Sequence, residues 1–400
     1  MRKKAFWVVL TLALFCSSTA MADDLFTLMG KSLKQARIEE KVNQGKAMMD
    51  IQYKRAIEGK EKAEKTLKDQ PKFQYYYDKS RSGEIMLAED WEYFWKYAEQ
   101  YGPKPLTFYN NDYYQYIMYP KEVAWYEIDK NREILAAQIP DLETEVQLGV
   151  IKLYNAYWEL QEGIDLQAKN IQYLKGELDQ AQSKYAKGLI AKNKLDEAVI
   201  NHKNAQLMLD NLKIDQLNLK REIGNLVGES DMDQLKIEPS NHESWLGKYY
   251  AMDYYVGQAL NERYEMKKQR LELELREREL TKAKEVYIGE NMLKYREIKA
   301  SRDKAKADLD HLIKKIENQT NTYFIQMTNA ERMYKQEMIA LKEAEKTYEK
   351  MKLNRKLGNI TDNQFYGAEV SYFQAKQSYG KALRDFEFAM LQLKLYTVEW

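Results

Sequence analysis

A heptad pattern of apolar residues, written twice at an offset of 170 residues, is the strongest constraint this 400-residue sequence places on its fold. The second copy reads Phe365, Ala368, Tyr372, Ala375, Tyr379, Ala382, Phe386, Ala389, Leu393 and Tyr396, in alternating steps of three and four. In the first copy the same phase reads Leu195, Ala198, His202, Ala205, Leu209, Leu212, Gln216, Leu219, Ile223 and Leu226. A period of 3.5 marks helices that pack along their length and supercoil left-handedly.

The stretches upstream correspond as well. Leu142, Val146, Leu153, Tyr157, Leu160, Ile164, Ile171, Leu174 and Leu178 fall in phase with Leu312, Ile316, Tyr323, Met327, Ala330, Tyr334, Leu341, Ala344 and Tyr348. Two generic coiled coils can overlay by coincidence. Here the breaks between the arms coincide too, at Gly188 and Gly358. A glycine at that place suits a left-handed helix cap. A new helix must then find acceptors for its orphan amides. Thr361 with Gln364 forms a capping-box pattern, and Asn193 with Asp196 a weaker one. Each copy therefore reads as a helical hairpin. An arm from Leu142 to Lys187 would run ~65 Å, too long to bury its stripe in a small core of its own. Leu189, Ile190 and Ile360 are apolar residues at the hairpin ends; they either staple the turn or form a docking surface.

Composition agrees with helix. Charged residues make up 31%, mean hydropathy is −0.72, and no proline follows Pro239. The net charge of +1 gives no electrostatic case for nucleic acid. Residues 1–22 read as a secretory signal peptide: a basic start, an apolar stretch from Ala5 to Phe15, and Ala20-Met21-Ala22 before an acidic pair. An uncleaved anchor is the other reading of that segment. Cys16 lies within it and Phe15 precedes it where a lipoprotein signal wants a small residue, so the mature chain carries no cysteine for disulfides or metal. His202, His242 and His311 are far apart, and no P-loop, G-x-G-x-x-G or H-E-x-x-H motif occurs. The sequence offers no enzyme and calls for no cofactor.

The break after a long arm, with Tyr185, Gly188, Leu195, Ala198 and Ala205 in one copy and Gly358, Phe365, Ala368 and Ala375 in the other, resembles the TolC-like outer-membrane efflux family. The resemblance covers roughly 120–228 and 250–396. Together with the heptad periodicity and the helix-forming composition, it implies an all-α fold of long antiparallel coiled-coil hairpins in two internal repeats. One repeat spans 23–240 and the other 241–400. It also implies a homotrimer whose hairpins form a tunnel in the cell envelope, a periplasmic adaptor, and an inner-membrane pump. By position the partner-docking tips are Gly188, Leu189, Ile190 and Ala191, and Gly358, Asn359, Ile360 and Thr361. Ala191 and Asn359 depart from the family's usual hydroxyl and apolar choices.

The family places two membrane strands between the arms of each half, and a membrane strand needs ~10 alternating residues. Leu280 to Leu309 is instead charged and helix-forming, with a turn expected near Gly289. Leu106 to Tyr119 reads as at most one small aromatic β-hairpin, turning at Asn110-Asn111-Asp112. It belongs to a tyrosine-rich connector over 71–126, where Trp91, Trp95, Tyr113, Tyr114 and Trp125 either pack between helices or meet a membrane, wall or glycan interface. The reduced membrane end leaves a rival reading: a barrel-less coiled-coil spacer of the periplasm or cell wall. An adaptor protein is a weaker rival, because an adaptor has one helical hairpin and this chain has two.

Overall fold

The computed structural model describes residues 24–69, 79, 82, 84–85, 87–92, 110–229, 231, 235–239, 249–287 and 292–397. The signal-peptide reading, most of residues 71–109 of the 71–126 connector, Trp95 and Gly289 lie outside them. The described residues are overwhelmingly helical. They contain no strand, and Ile237 makes one isolated bridge.

In chain order the main helices are α1 (Leu25–Ala36), α2 (Ile38–Asp69), a short α3 (Asn110–Tyr113) and α4 (Trp125–Leu135). There follow α5 (Ile139–Ala186), α6 (Lys192–Val227), α7 (Met252–Glu262), α8 (Tyr264–Val286), α9 (Leu293–Lys356) and α10 (Asp362–Tyr396). The chain divides into two compact units, each assembled from separate stretches of sequence. The first comprises 1–36, 145–249 and 325–392; the second comprises 37–144, 250–324 and 393–400. Both contain pieces from either side of residue 240.

The first unit contains both helix breaks. Every heptad position of α6 from Leu195 to Leu226 is buried or half-buried, while Ile200, Leu207 and Ile214 on another face are exposed. In α10 the stripe from Phe365 to Phe386 behaves alike. The two hairpins close differently. Aromatic rings close the second: Tyr348 stacks on Tyr372 at 4.9 Å and meets Phe365 at 5.7 Å, and Tyr334 stacks on Phe386 at 5.8 Å. In the first, glutamines reach across: Gln216 Nε2 donates to Gln161 Oε1 at 2.8 Å, and buried Gln167 donates to the Ala205 carbonyl at 2.8 Å. A buried amide left unpaired would cost about 1–3 kcal/mol, so the donation fixes the register of α6 on α5.

The hairpins also pack on each other, α5 antiparallel to α10. Arg384 forks onto Glu162 with bonds of 2.9 and 2.7 Å, and Lys169 pairs with Glu369 at 3.1 Å. Nearer the breaks, Asn363 Nδ2 donates to Glu177 Oε1 in a short hydrogen bond. The approach is close here: a Cβ on Gly176 would stand 2.2 Å from Asn363 Oδ1, so a side chain there forces Asn363 to move.

The second unit is built around α2, α4 and α8. Arg132 of α4 pairs with Asp50 of α2 at 2.9 Å and lies 4.8 Å from the Tyr53 ring. Its core gathers Ala63, Tyr113, Tyr114, Ile117, Ala283, Val286 and Tyr287. This corrects the expected aromatic β-hairpin. From Asn110 onward the chain is helical, running through two wide turns (Tyr114–Met118 and Pro120–Ala124) into α4. The apolar residues Tyr113, Tyr114 and Ile117 recur at helical spacing, three and four apart, and that face is buried. Leu280 to Leu309 is helical up to Val286 and again from Leu293, as its charged composition implied.

Candidate functional site

At the helix breaks the two halves share the same backbone hydrogen bonds. In α5 the amide of Gly188 donates to the Tyr185 carbonyl at 2.8 Å, and that of Leu189 to the Lys184 carbonyl at 2.9 Å. In α9 the amide of Gly358 donates to the Arg355 carbonyl at 3.0 Å, and that of Asn359 to the Asn354 carbonyl at 2.9 Å. Both are Schellman caps, in which the residue after the last helical one turns left-handed and frees the chain to reverse. The glycines have φ of 70° and 72°, as that conformation asks.

Beyond the cap the halves differ. Thr361 and Gln364 form the expected capping box: the Thr361 amide donates to Gln364 Oε1 at 2.9 Å, and the Gln364 amide to Thr361 Oγ1 at 3.3 Å. The expected pair Asn193 and Asp196 does not cap α6. The N-cap is Ala191, with φ −78° and ψ 156° and no side-chain bond, and Asn193 lies already inside the first turn. Alanine has no acceptor to offer, so the helix start falls where the duplicated turn ends rather than at the nearest polar residue.

Around the second tip the packing is dense. Arg355 pairs with Asp362 at 2.7 Å and lies over the rings of Phe365 at 4.6 Å and Tyr366 at 5.3 Å. The hydrogen bond to the Asp362 carboxylate holds the Arg355 pKa above its ordinary value. At the extremities the surface is open. Leu189 is 69% exposed and Leu357 63%; Gly188, Ala191, Gly358, Asn359 and Thr361 are exposed, and Ile190 and Ile360 are half-buried. The two leucines thus face solvent more fully than the two isoleucines. Leu357 stands one residue before the expected tip set; its place as the last residue before the glycine was the available signal.

The tips are staggered. Asn363 lies five residues past Gly358, whereas its partner Glu177 lies eleven residues before Gly188. With α5 and α10 antiparallel, the first tip projects roughly 9 Å beyond the second at 1.5 Å per residue.

The aromatics set down as interface residues part company. Trp91 is 44% exposed. Tyr113 and Tyr114, each 4% exposed, belong to the core of the second unit and present no surface. Tyr114 meets Tyr287 at 5.7 Å, and burial, followed by the nearby Glu279 carboxylate, pushes its hydroxyl pKa well up. Trp125 is half-buried, donates its Nε1 to the Lys121 carbonyl at 2.8 Å, and lies under the Lys60 ammonium at 4.6 Å. Among the described residues no three His, Cys, Asp or Glu side chains gather for a metal ion, and no helix is long and apolar enough to cross a membrane.

No protein-family model matches the sequence, and no curated protein matches it by sequence. Solved structures do match. One is CusC, whose structures concern conformational changes accompanying folding and transmembrane channel formation. It aligns at a TM-score of 0.50 and 10% identity over 93% of this chain and 95% of that one. Another is the outer membrane protein VceC from Vibrio cholerae, at a TM-score of 0.51 and 12% identity over 68% of this chain and 74% of that one. At such identities the likeness concerns the fold. Long paired hairpins, a matched pair of glycine-capped tips and these neighbours together establish that the chain has the helical fold of the TolC-like outer-membrane channels.

Proposed function

We propose that the chain is a TolC-like tunnel component of an efflux or export system in the cell envelope, a passive conduit that engages its partner through the hairpin tips. The observation that carries this reading is the duplicated tip: the same cap, hydrogen bond for hydrogen bond, ends both long arms. A spacer that only needs length has no use for two matched, solvent-facing turns on one side of the molecule. The two halves, 23–240 and 241–400, are then repeats of one hairpin unit.

Self-association is supported by what the hairpins leave uncovered, and the family resemblance makes the assembly a homotrimer. On α6, Ile200, Leu207 and Ile214 repeat every seven residues on an exposed face. Apolar heptad faces of this kind are seams for another helix. A periplasmic adaptor at the tips and an inner-membrane pump behind it complete the assembly. The second reading, a barrel-less structural spacer, is favoured by one observation: within Leu280 to Leu309 the chain is helical up to Val286 and again from Leu293, where the family has membrane strands.

Fractionation of the cell envelope with native mass measurement separates the two. The tunnel reading expects a trimer in the membrane fraction. A monomer in the soluble periplasmic fraction would overturn it.

A further inference from the structure

Charge is segregated to the tips. From Gln182 to Lys194 stand Lys184, Lys187, Lys192 and Lys194 and no acidic residue; from Lys350 to Thr361 stand Lys350, Lys352, Arg355 and Lys356 and again none. With those eight cations set against a net charge of +1, the rest of the chain is net −7. Lys194, Lys352 and Arg355 pair with Glu197, Glu349 and Asp362 just outside these stretches. Lys184, Lys187, Lys192, Lys350 and Lys356 are exposed and make no ion pair among the described residues. Elsewhere on the same helices cations and carboxylates interleave, as a solvated face requires. Within the two tip stretches no carboxylate stands, those of Glu197, Glu349 and Asp362 flanking them, while two leucines, Leu189 and Leu357, are exposed among the ammonium groups.

Resting on the reading of the tips as the docking point, we propose that the partner is a protein whose docking surface is acidic and stepped, its carboxylates meeting these five lysines and apolar recesses taking the two leucines. Lysines spaced around an exposed leucine attract and orient an oppositely charged surface, while the apolar contact supplies short-range affinity. The stagger argues for protein over an anionic lipid surface. With one tip roughly 9 Å ahead of the other, the two leucines do not enter one flat bilayer face together, whereas a folded partner can present recesses at two heights. Membrane-seated elements also carry a continuous apolar face, whereas the exposed leucine of each tip stands among cations.

The test uses the full chain in the cells that naturally produce it. A benzophenone amino acid replaces Leu189, and separately Leu357, and after irradiation the attached segment is sequenced. The expected result is one protein segment, reached from both positions, in which acidic residues exceed basic ones. Its yield falls about tenfold when all five lysines become Gln (K184Q, K187Q, K192Q, K350Q, K356Q) and is kept when all five become Arg. Attachment to lipid, attachment to a segment without acidic excess, or a yield unmoved in the Gln variant overturns the proposal and leaves tip docking standing. No photoproduct from either position overturns tip docking itself and the proposal with it.

Discussion

Arg384 of α10 and Glu162 of α5, 222 residues apart, form a two-bonded fork at 2.9 and 2.7 Å with side chains only 11% and 21% exposed. It joins the outgoing arm of one hairpin to the returning arm of the other. The geometry is tight: a Cβ on Gly380 would stand 2.1 Å from Glu162 Oε1. Removing one member of such a pair leaves the other charge poorly solvated, a cost of about 3–5 kcal/mol for a fully buried pair. At this partial exposure, Arg384→Ala is expected to destabilise the chain by about 2 kcal/mol in chemical denaturation. The double variant Arg384→Ala with Glu162→Ala should recover part of that loss. A double variant as unstable as the sum of the singles would show that the pair does not act as a unit.

The two tips differ in capping, and their responses to substitution should differ accordingly. Thr361→Ala removes the acceptor that holds the Gln364 amide and is expected to cost about 1 kcal/mol. Ala191→Thr supplies the acceptor the first tip lacks and should stabilise by up to about 1 kcal/mol. Urea denaturation of both variants checks the opposite signs.

Gly188 and Gly358 have left-handed φ and nothing within 4 Å of a built Cβ. Alanine at either is therefore penalised through the backbone alone, by about 1–2 kcal/mol. The loss should be equal at the two positions. A large difference between them, read by thermal unfolding of each variant, would mean that the tips are not equivalent structures.

Glu143 of α5 titrates high because it is part-buried, and the Glu39 carboxylate adds to the effect. A carboxyl whose folded pKa is raised weakens the fold wherever it is ionised. The penalty is absent below the unfolded carboxylate range and appears as pH rises through the folded value. Glu143→Gln should therefore raise the melting temperature at pH 7 and leave it unchanged near pH 3.5, where the native side chain is already neutral. An equal gain at both pH values would assign the effect to packing.

The heptad stripes and the glycine tips were legible in the sequence because both are local. A period of 3.5 and a residue freed for positive φ each act within a few residues. The capping box at Thr361 was legible for the same reason. The start of α6 was not: the polar Asn193 drew the cap two residues too far, since the duplicated turn, not a side-chain acceptor, places Ala191 there. The stretch around Tyr113 and Tyr114 read as a hairpin because aromatic density hides its period. Its helical spacing shows only once the face buried against Ala283 and Tyr287 is known. Glu162 with Arg384, and Glu177 with Asn363, lay beyond reach, because one charged or amide residue among many on a helix carries no sign of a partner two hundred residues away.

A conduit passes ions. The most direct measurement is planar-bilayer conductance of the native oligomer, purified from the envelope and weighed before reconstitution. The account predicts a trimer that opens steady, ohmic channels. A trimer or monomer that leaves the bilayer silent would contradict it and leave the spacer.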